Sequence, residues 1–227
     1  MKACQAANAE RNGDHPSATR HSARVPKFAA VILAAGASSR MGRPKLLLPW
    51  RETTVIGHLL VQWRELGAAQ IAVVLRPGDA ALAAELDRLH FPAADRIANP
   101  QPERGMFSSI VCAANWTGWR RELSGWALVL GDQPHLQSET LRVLLKGFAR
   151  NADAICQPAF AGHGAHPVIL PRDLFAALPA TPAATLKDFL KQVSGRRVQY
   201  VVNDPGLTLD LDTPEDYKQA RASIKVA

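Results

Sequence analysis

Short apolar runs alternate with longer amphipathic stretches along most of the chain. The runs Ala29–Leu33, Ile71–Leu75 and Trp126–Leu130 have the length of strands, whereas the apolar residues of Thr53–Leu66 recur with a helical period. Strands that alternate with helices are typical of an α/β protein. We therefore expect a three-layer, Rossmann-like α/β fold, in which a mostly parallel sheet carries helices on both faces.

The same pattern predicts shorter elements between these segments. Small polar residues that precede an amphipathic stretch indicate helix starts, with Ser138 as the expected cap of one helix and Pro214 as the first residue of another. The further strands predicted are Arg96–Ala98, Ala154–Cys156, Val198–Val202 and Thr208–Leu211. The further helices are Ala80–Leu89, Ser108–Ala114, Ser138–Ala149, a short helix after Pro171, Ala184–Gln192 and a helix from Pro214.

Composition favours one globular domain, because 47% of the 227 residues are hydrophobic and 21% are charged. No apolar run is long enough to cross a bilayer, so we expect no membrane partner. Residues 1–27 look like a disordered tail ahead of a domain over residues 28–227. The formal net charge of +7 is not arranged as a basic helix face with interleaved aromatic residues, so we expect no nucleic-acid partner. Three scattered cysteines favour a cytoplasmic location.

The most informative segment is Val31–Lys45, which reads VILAAGASSRMGRPK. An apolar run ends in small residues that let backbone N–H groups approach an anion, and Arg40 and Lys45 follow as cations. A solvated surface loop would also explain this pattern. The spacing of Gly36 and Gly42 does not fit a Walker A loop, and Ala37 stands where a dinucleotide-binding fingerprint needs its second glycine.

Two groups of carboxylates are candidates for a metal site. Asp132 follows the apolar run Trp126–Leu130, and ligands bind beyond the carboxyl ends of strands in open α/β sheets. A carboxylate at that place could hold Mg²⁺ or simply belong to a turn. Asp210 and Asp212 would face one side of a strand, but Asp212 or Thr213 is also a good cap for the helix from Pro214. We therefore assign Asp210 to the metal and Asp212 mainly to capping.

The loop resembles the signature L-A-A-G-x-S-x-R-M-G-x-P-K of the MobA-like nucleotidyltransferases. Within that family it most resembles the molybdenum cofactor cytidylyltransferases, since guanylyltransferases usually have Leu-Ala-Gly-Gly where this chain has Leu-Ala-Ala-Gly. Three later segments resemble further motifs of the family and follow the family's order. Along the chain they are Asn99 to Ser109, Gly131-Asp132-Gln133-Pro134, and Asp210 to Tyr217. The residues that match the first signature are Leu33, Ala34, Ala35, Gly36, Ser38, Arg40, Met41, Gly42, Pro44 and Lys45.

The resemblance implies the fold of the nucleotide-diphospho-sugar transferases and transfer of CMP from CTP to a phosphorylated acceptor, with Mg²⁺ as cofactor. It implies that Arg40 and Lys45 act on the phosphates and that Asp132 and Asp210 hold the metal. Ser109, less certainly Ser108, would contact the base, although Ser108 could equally be a helix cap. The nucleotide-binding residues implied are Leu33, Ala34, Ala35, Gly36, Ser38 and Ser109.

The acceptor side matches the family less well. Gly164-Ala165-His166-Pro167 resembles a Gly-His-Pro-Val element and makes His166 a candidate acceptor contact, although a lone histidine is more often structural. Ala165 replaces the usual glycine, and the Gly-Asp-x-Gly segment common in cytidylyltransferases is replaced by residues 180–187. The resemblance makes molybdopterin the expected acceptor, although these departures lie on the acceptor side. The alternatives are a guanylyltransferase, a transferase for another phosphorylated molecule and a non-catalytic nucleotide-binding partner. The resemblance also allows transient contact with a molybdoenzyme or its chaperone.

Overall fold

The computed structural model describes residues 25–36 and 41–224. The predicted tail lies outside these residues except for Val25, Pro26 and Lys27, and Lys27 begins the first strand. The strands are β1 (Lys27–Leu33), β2 (Pro49–Trp50), β3 (Thr53–Thr54), β4 (Gln70–Leu75), β5 (Arg96–Ala98), β6 (Leu123–Leu130), β7 (Ile155–Phe160), β8 (His163–Gly164), β9 (Val168–Pro171) and β10 (Arg197–Val201). The helices are α1 (Val55–Glu65), α2 (Ala80–Arg88), α3 (Met106–Asn115), α4 (Ser138–Arg150), α5 (Arg172–Ala177), α6 (Leu186–Gln192) and α7 (Pro214–Ile224).

Eight strands form one central sheet in the order β10-β7-β9-β6-β1-β4-β5, with β8 paired to β7. Strand β1 lies between β6 and β4 and is parallel to both. Strand β9 runs antiparallel between β6 and β7. The predicted mostly parallel sheet is therefore confirmed, and β9 is a strand that the pattern did not predict.

The two faces of the sheet carry separate cores. Alternate residues of β1 point to opposite faces, so that Ala30 and Ile32 pack on one side and Ala29 and Val31 on the other. Helices α1, α2, α4 and α7 contribute to the first core, and α3, α5 and α6 contribute to the second. The predicted three-layer arrangement is confirmed. Within the described residues, no helix combines the length and the apolar character that a membrane span needs.

The segment Thr208–Leu211 is not the strand that its alternation predicts. Residues Pro205–Thr208 form a 3₁₀ turn, and the Asp204 side chain accepts a hydrogen bond from Gly206 N that stabilises this turn. The following residues contact the end of β6 through one backbone hydrogen bond, from Leu211 N to Asp132 O at 3.1 Å. Leu211 is nevertheless fully buried, so the alternation did identify its inward face.

Ser138 does not cap α4. The N-cap residue is Gln137, which provides no side-chain hydrogen bond. Instead the buried Asp204 carboxylate accepts hydrogen bonds from Gln137 N at 3.1 Å and Thr140 Oγ1 at 2.8 Å. A carboxylate also suits the positive end of the helix dipole, so a residue distant in sequence takes the role that a local serine was expected to fill.

We expect Asp204→Ala to lower the free energy of unfolding by about 1–3 kcal/mol, because it leaves buried donors without partners. Urea denaturation measures this loss. The matched control is Ser138→Ala, for which we expect a change below about 0.5 kcal/mol since Ser138 is exposed. Equal losses in the two variants would contradict the assignment of the cap to Asp204.

Candidate active site

A cavity of about 530 Å³ opens at the carboxyl ends of β1 and β6. This is the edge of an open α/β sheet where ligands bind. The predicted site residues that the structure describes all line it. The lining residues are Leu33, Ala34, Ala35, Gly36, Lys45, Leu46, Pro102, Gly105, Met106, Ser109, Leu130, Gly131, Asp132, His166, Asp210 and Asp212. Ser38 and Arg40 lie outside the described residues.

The loop after β1 reaches the cavity because two strand ends approach closely. Gly131 N donates a hydrogen bond to Leu33 O at 3.2 Å. A Cβ atom at Gly131 would lie 2.8 Å from that carbonyl oxygen and 2.9 Å from Leu46 Cδ2. Both distances are too short for a Cβ atom unless the neighbouring atoms move. Glycine at position 131 therefore keeps the Leu33–Gly36 loop beside Asp132.

Lys45 lies between two carboxylates. Its Nζ donates to Asp132 Oδ2 at 2.6 Å and to Asp212 Oδ1 at 3.4 Å, and only 15% of its side chain is exposed. Asp132 and Asp212 keep 21% and 27% of their side chains exposed toward the cavity. Lys45 thus places a positive charge beside two carboxylates that line the same cavity.

Asp212 is a pocket residue, and its predicted main role as a cap is wrong. Thr213 caps α7 instead: its Oγ1 accepts from Asp216 N at 3.2 Å, and its own N and Oγ1 donate to Asp216 Oδ2. Because the Thr213 and Asp216 side chains satisfy these groups, the Asp212 side chain is directed to Lys45. Sequence alone left Asp212 and Thr213 as equivalent caps.

Asp210 has a neutral partner. Its Oδ1 accepts from Gln133 Nε2 at 2.9 Å. Burial, assisted by the negative charges of Asp132 and Asp212, raises the pKa of Asp210 above its ordinary value. Gln133 is a residue to which the sequence assigned no role, although it stands next to Asp132 in the same motif.

The carboxylates of Asp132, Asp210 and Asp212 fit a divalent cation only if a bound ligand supplies further oxygen atoms. Their hard oxygen atoms are what Mg²⁺ prefers, and Asp132, Asp210 and Asp212 line the same cavity. Yet no three His, Cys, Asp or Glu side chains in the described ranges come together as a complete metal site. Mg²⁺ usually takes one or two carboxylates and completes its coordination with phosphate oxygens and water, so this donor set suits a metal bound with a nucleotide.

His166 also lines the cavity and is partly buried. Its Nδ1 lies 3.2 Å from Leu128 O, and burial lowers its pKa below the ordinary value. Since a carbonyl oxygen only accepts, Nδ1 must carry the proton, and Nε2 is left as an acceptor in the neutral ring. His166 also lines a smaller neighbouring cavity of about 250 Å³, which includes Gln133 and Thr208. The histidine therefore lines both cavities.

Ser109 lies in the second turn of α3 and is buried against the cavity. Its Oγ is 2.9 Å from Asn99 Nδ2. Ser108 is not the cap of this helix, because α3 begins at Met106 with Gly105 as N-cap, at a φ of 84° that favours glycine. Ser108 does not line the cavity.

Arg76 is a positioning residue that the sequence did not reveal. It follows the end of β4, and its Nη2 donates to Ala35 O at 3.2 Å. Backbone pairing continues here as well, since Ala34 N donates to Val74 O at 2.8 Å. The loop is therefore held from the β4 side, and a basic residue directly after a parallel strand was the available signal.

A model of the MobA-like NTP transferase domain matches residues 30–198. The molybdenum cofactor cytidylyltransferase of Escherichia coli K12 is 25% identical over 84% of this chain and 94% of its own length. A probable molybdenum cofactor guanylyltransferase of Bacillus cereus G9842 is also 25% identical, over 88% and 98%.

Solved structures agree with these relatives. The crystal structure of Rv0371c from Mycobacterium tuberculosis H37Rv is 29% identical, with a TM-score of 0.65 over 87% of this chain and 98% of that one. A complex of Rv0371c with manganese superposes with a TM-score of 0.61 at 26% identity, over 87% and 99% of the two chains. Because the domain model covers well over half of the sequence, this protein belongs to the MobA-like NTP transferase family and is a nucleotidyltransferase.

Proposed function

We propose that this nucleotidyltransferase transfers CMP from CTP to a phosphorylated acceptor, with molybdopterin as the first candidate, and releases pyrophosphate. The observation that carries the proposal is one cavity that brings together the Leu33–Gly36 loop, Lys45 and three carboxylates. Leu-Ala-Ala-Gly in this loop resembles the cytidylyltransferases, and a cytidylyltransferase is among the relatives.

The chemistry follows from the positions of these groups. An oxygen of the acceptor phosphate attacks the α-phosphorus of CTP, a new P–O bond forms, and the bond from the α-phosphorus to the bridging oxygen breaks as pyrophosphate leaves. Lys45 binds phosphate oxygens and offsets their charge, and Arg40 has the same proposed role. The loop and Ser109 orient the nucleotide for attack along the line of the breaking bond.

Asp132 and Asp210 would hold Mg²⁺, and Asp212 is placed to assist them. A bound divalent cation would neutralise charge on the triphosphate. The manganese complex of Rv0371c supports a divalent cation in a related protein. His166 faces the acceptor with an unprotonated Nε2, which can accept a hydrogen bond from a hydroxyl or N–H group of that molecule.

A guanylyltransferase is the second candidate, because a probable guanylyltransferase aligns over as much of the chain at equal identity. On the acceptor side, residues 180–187 depart from the cytidylyltransferase pattern, which makes another phosphorylated molecule the alternative acceptor. A non-catalytic partner of molybdoenzyme assembly has no chemical need for Lys45 and the three carboxylates. We place the protein in the cytoplasm, where the free thiols of Cys112 and Cys156 would remain reduced.

A thermal-shift series with CTP, GTP, UTP and ATP in the presence of Mg²⁺ tests the donor, since a ligand that binds the native state raises the melting temperature. We expect the largest rise with CTP. Pyrophosphate release from CTP with molybdopterin, a sugar phosphate or a polyol phosphate then tests the acceptor. A larger shift with GTP would overturn the cytidylyl assignment, and no release with any acceptor would favour the non-catalytic alternative.

A further inference from the structure

The Asn99 side chain lies behind Ser109, which lines the cavity, and is fully buried. It does not line the cavity itself, but it contacts residues on both sides of the turn before α3. Asn99 Nδ2 lies 2.8 Å from Ser108 Oγ and 2.9 Å from Ser109 Oγ, and Asn99 Oδ1 accepts from Gln101 N at 2.9 Å.

These contacts permit only one orientation of the amide. Gln101 N–H can only donate, so the atom that faces it must be the amide oxygen of Asn99. The amide NH₂ group therefore faces the two serines, and its two hydrogens are donated to Ser108 Oγ and Ser109 Oγ. Reversing the amide would place two donors against each other at Gln101.

The same reasoning sets the direction of each hydroxyl group. Ser108 Oγ accepts from Asn99 and donates to Gly105 O at 2.7 Å or Gln101 O at 3.1 Å, so its hydrogen is used within the protein. Ser109 Oγ also accepts from Asn99, which is its partner among the residues that the structure describes. The hydrogen of Ser109 is thus left for a ligand, and Ser109, unlike Ser108, lines the cavity.

We propose that Asn99 is a specificity-determining positioning residue, which fixes Ser109 as a hydrogen-bond donor and so selects a nucleotide base that presents an acceptor atom at this point. For a cytosine base the acceptors are the carbonyl oxygen O2 and the ring nitrogen N3. The inference rests on the proposed function for the contact of Ser109 with the base and for the choice of cytosine as that base.

Nucleotide analogues test the direction of the hydrogen bond in the unaltered protein. In 2-thio-CTP the O2 atom is replaced by sulfur, and in 3-deaza-CTP the N3 atom is replaced by a C–H group. We expect one of the two analogues to have a KM about tenfold above that of CTP, as the loss of one hydrogen bond to a buried donor implies. This difference should disappear in Ser109→Ala, whose KM for CTP should itself be about tenfold higher.

Two further variants test Asn99. Asn99→Asp keeps the shape and the acceptor for Gln101 N but can only accept from Ser109, which reverses the hydroxyl. We expect a KM for CTP about tenfold higher, an unchanged kcat at saturation, and loss of discrimination between CTP and the sensitive analogue. Ser138→Ala is the control and should change none of these, because Ser138 is exposed on α4 and does not line the cavity. If melting shows that Asn99→Asp does not fold, Asn99→Ala replaces it, and its effect should not add to that of Ser109→Ala.

The outcomes separate this inference from the proposed function. An analogue penalty that persists in Ser109→Ala, or full discrimination in the folded Asn99 variant, overturns the inference while CTP remains the donor. Preference of the wild type for GTP overturns the proposed donor instead. The comparison is then repeated with 6-thio-GTP and 7-deaza-GTP, and the inference still requires that one of them bind more weakly through Ser109.

Discussion

Replacing Lys45 with alanine is expected to lower the rate of pyrophosphate release by about 10²–10³-fold, the loss typical of a single charge contact in an active site. The reason is the position of its Nζ, 2.6 Å from Asp132 and inside the cavity. Without this cation, a triphosphate would meet carboxylates whose charge is no longer offset. The measurement is the initial rate of pyrophosphate release under saturating CTP and acceptor.

The fold should survive this substitution. Asp132 and Asp212 remain partly exposed, so water can solvate their charges once Lys45 is removed. Circular dichroism and a melting curve provide the check. Lys191→Ala is the matched control, because that side chain is 66% exposed on α6 and pairs with Asp188 at the surface, away from the cavity. Near-normal turnover in Lys45→Ala would contradict the proposed role.

Asp132→Asn is expected to lower the rate of pyrophosphate release by about 10²–10³-fold, because it removes a negative charge at the place where phosphates and a metal would meet. The amide keeps the size of the side chain, and its oxygen can still accept from Lys45. We therefore expect the defect to be specific to charge. A titration of pyrophosphate release with Mg²⁺, and separately with Mn²⁺, should show half-saturation at a higher metal concentration than in the wild type.

The shape of that titration decides between two roles of Asp132. A lower maximal rate with an unchanged metal requirement would mean that Asp132 orients Lys45 and does not hold the metal. Asp153→Asn provides the control, since this aspartate is exposed beyond α4 and lies outside the cavity. It should leave both the rate and the metal requirement unchanged.

Local sequence signals predicted the main elements of the fold. The strand predicted over Trp126–Leu130, which extends over Leu123–Leu130 in the structure, and the loop Leu33–Gly36 were recognisable because an apolar run ends in small or acidic residues. Thr54 caps α1 through its side chain, which accepts from Gly57 N, close to where the helix was expected to start. These features depend on residues within one turn or one strand, and their physical causes are contained in the same segment.

Contacts between distant segments were not predictable in this way. Asp204 replaces Ser138 as the cap of α4 through contacts with residues 67 and 64 positions away in sequence, and Lys45 pairs with Asp212 across 167 positions. Strand β9 was missed because four apolar residues after a turn-rich stretch fit several structures. Its place between β6 and β7 becomes evident only from the sheet. The predicted strand Thr208–Leu211 is wrong because Pro205 and the Asp204 side chain stabilise a turn, and this effect outweighs the strand preference of the alternating pattern.

The strand order of the sheet also bears on how the substrate preferences of this enzyme can be altered. Backbone hydrogen bonds link the ends of the neighbouring strands β1, β4 and β5. Ala34 N donates to Val74 O, and Asn99 N donates to Leu75 O, both at 2.8 Å. His166 instead precedes β9, on the other side of β6. The residues proposed to contact the base and the residue proposed to contact the acceptor therefore belong to separate halves of one sheet. Donor preference and acceptor preference can accordingly be altered by substitutions that do not touch one another, and chimaeras divided at β6 could exchange one preference while keeping the other.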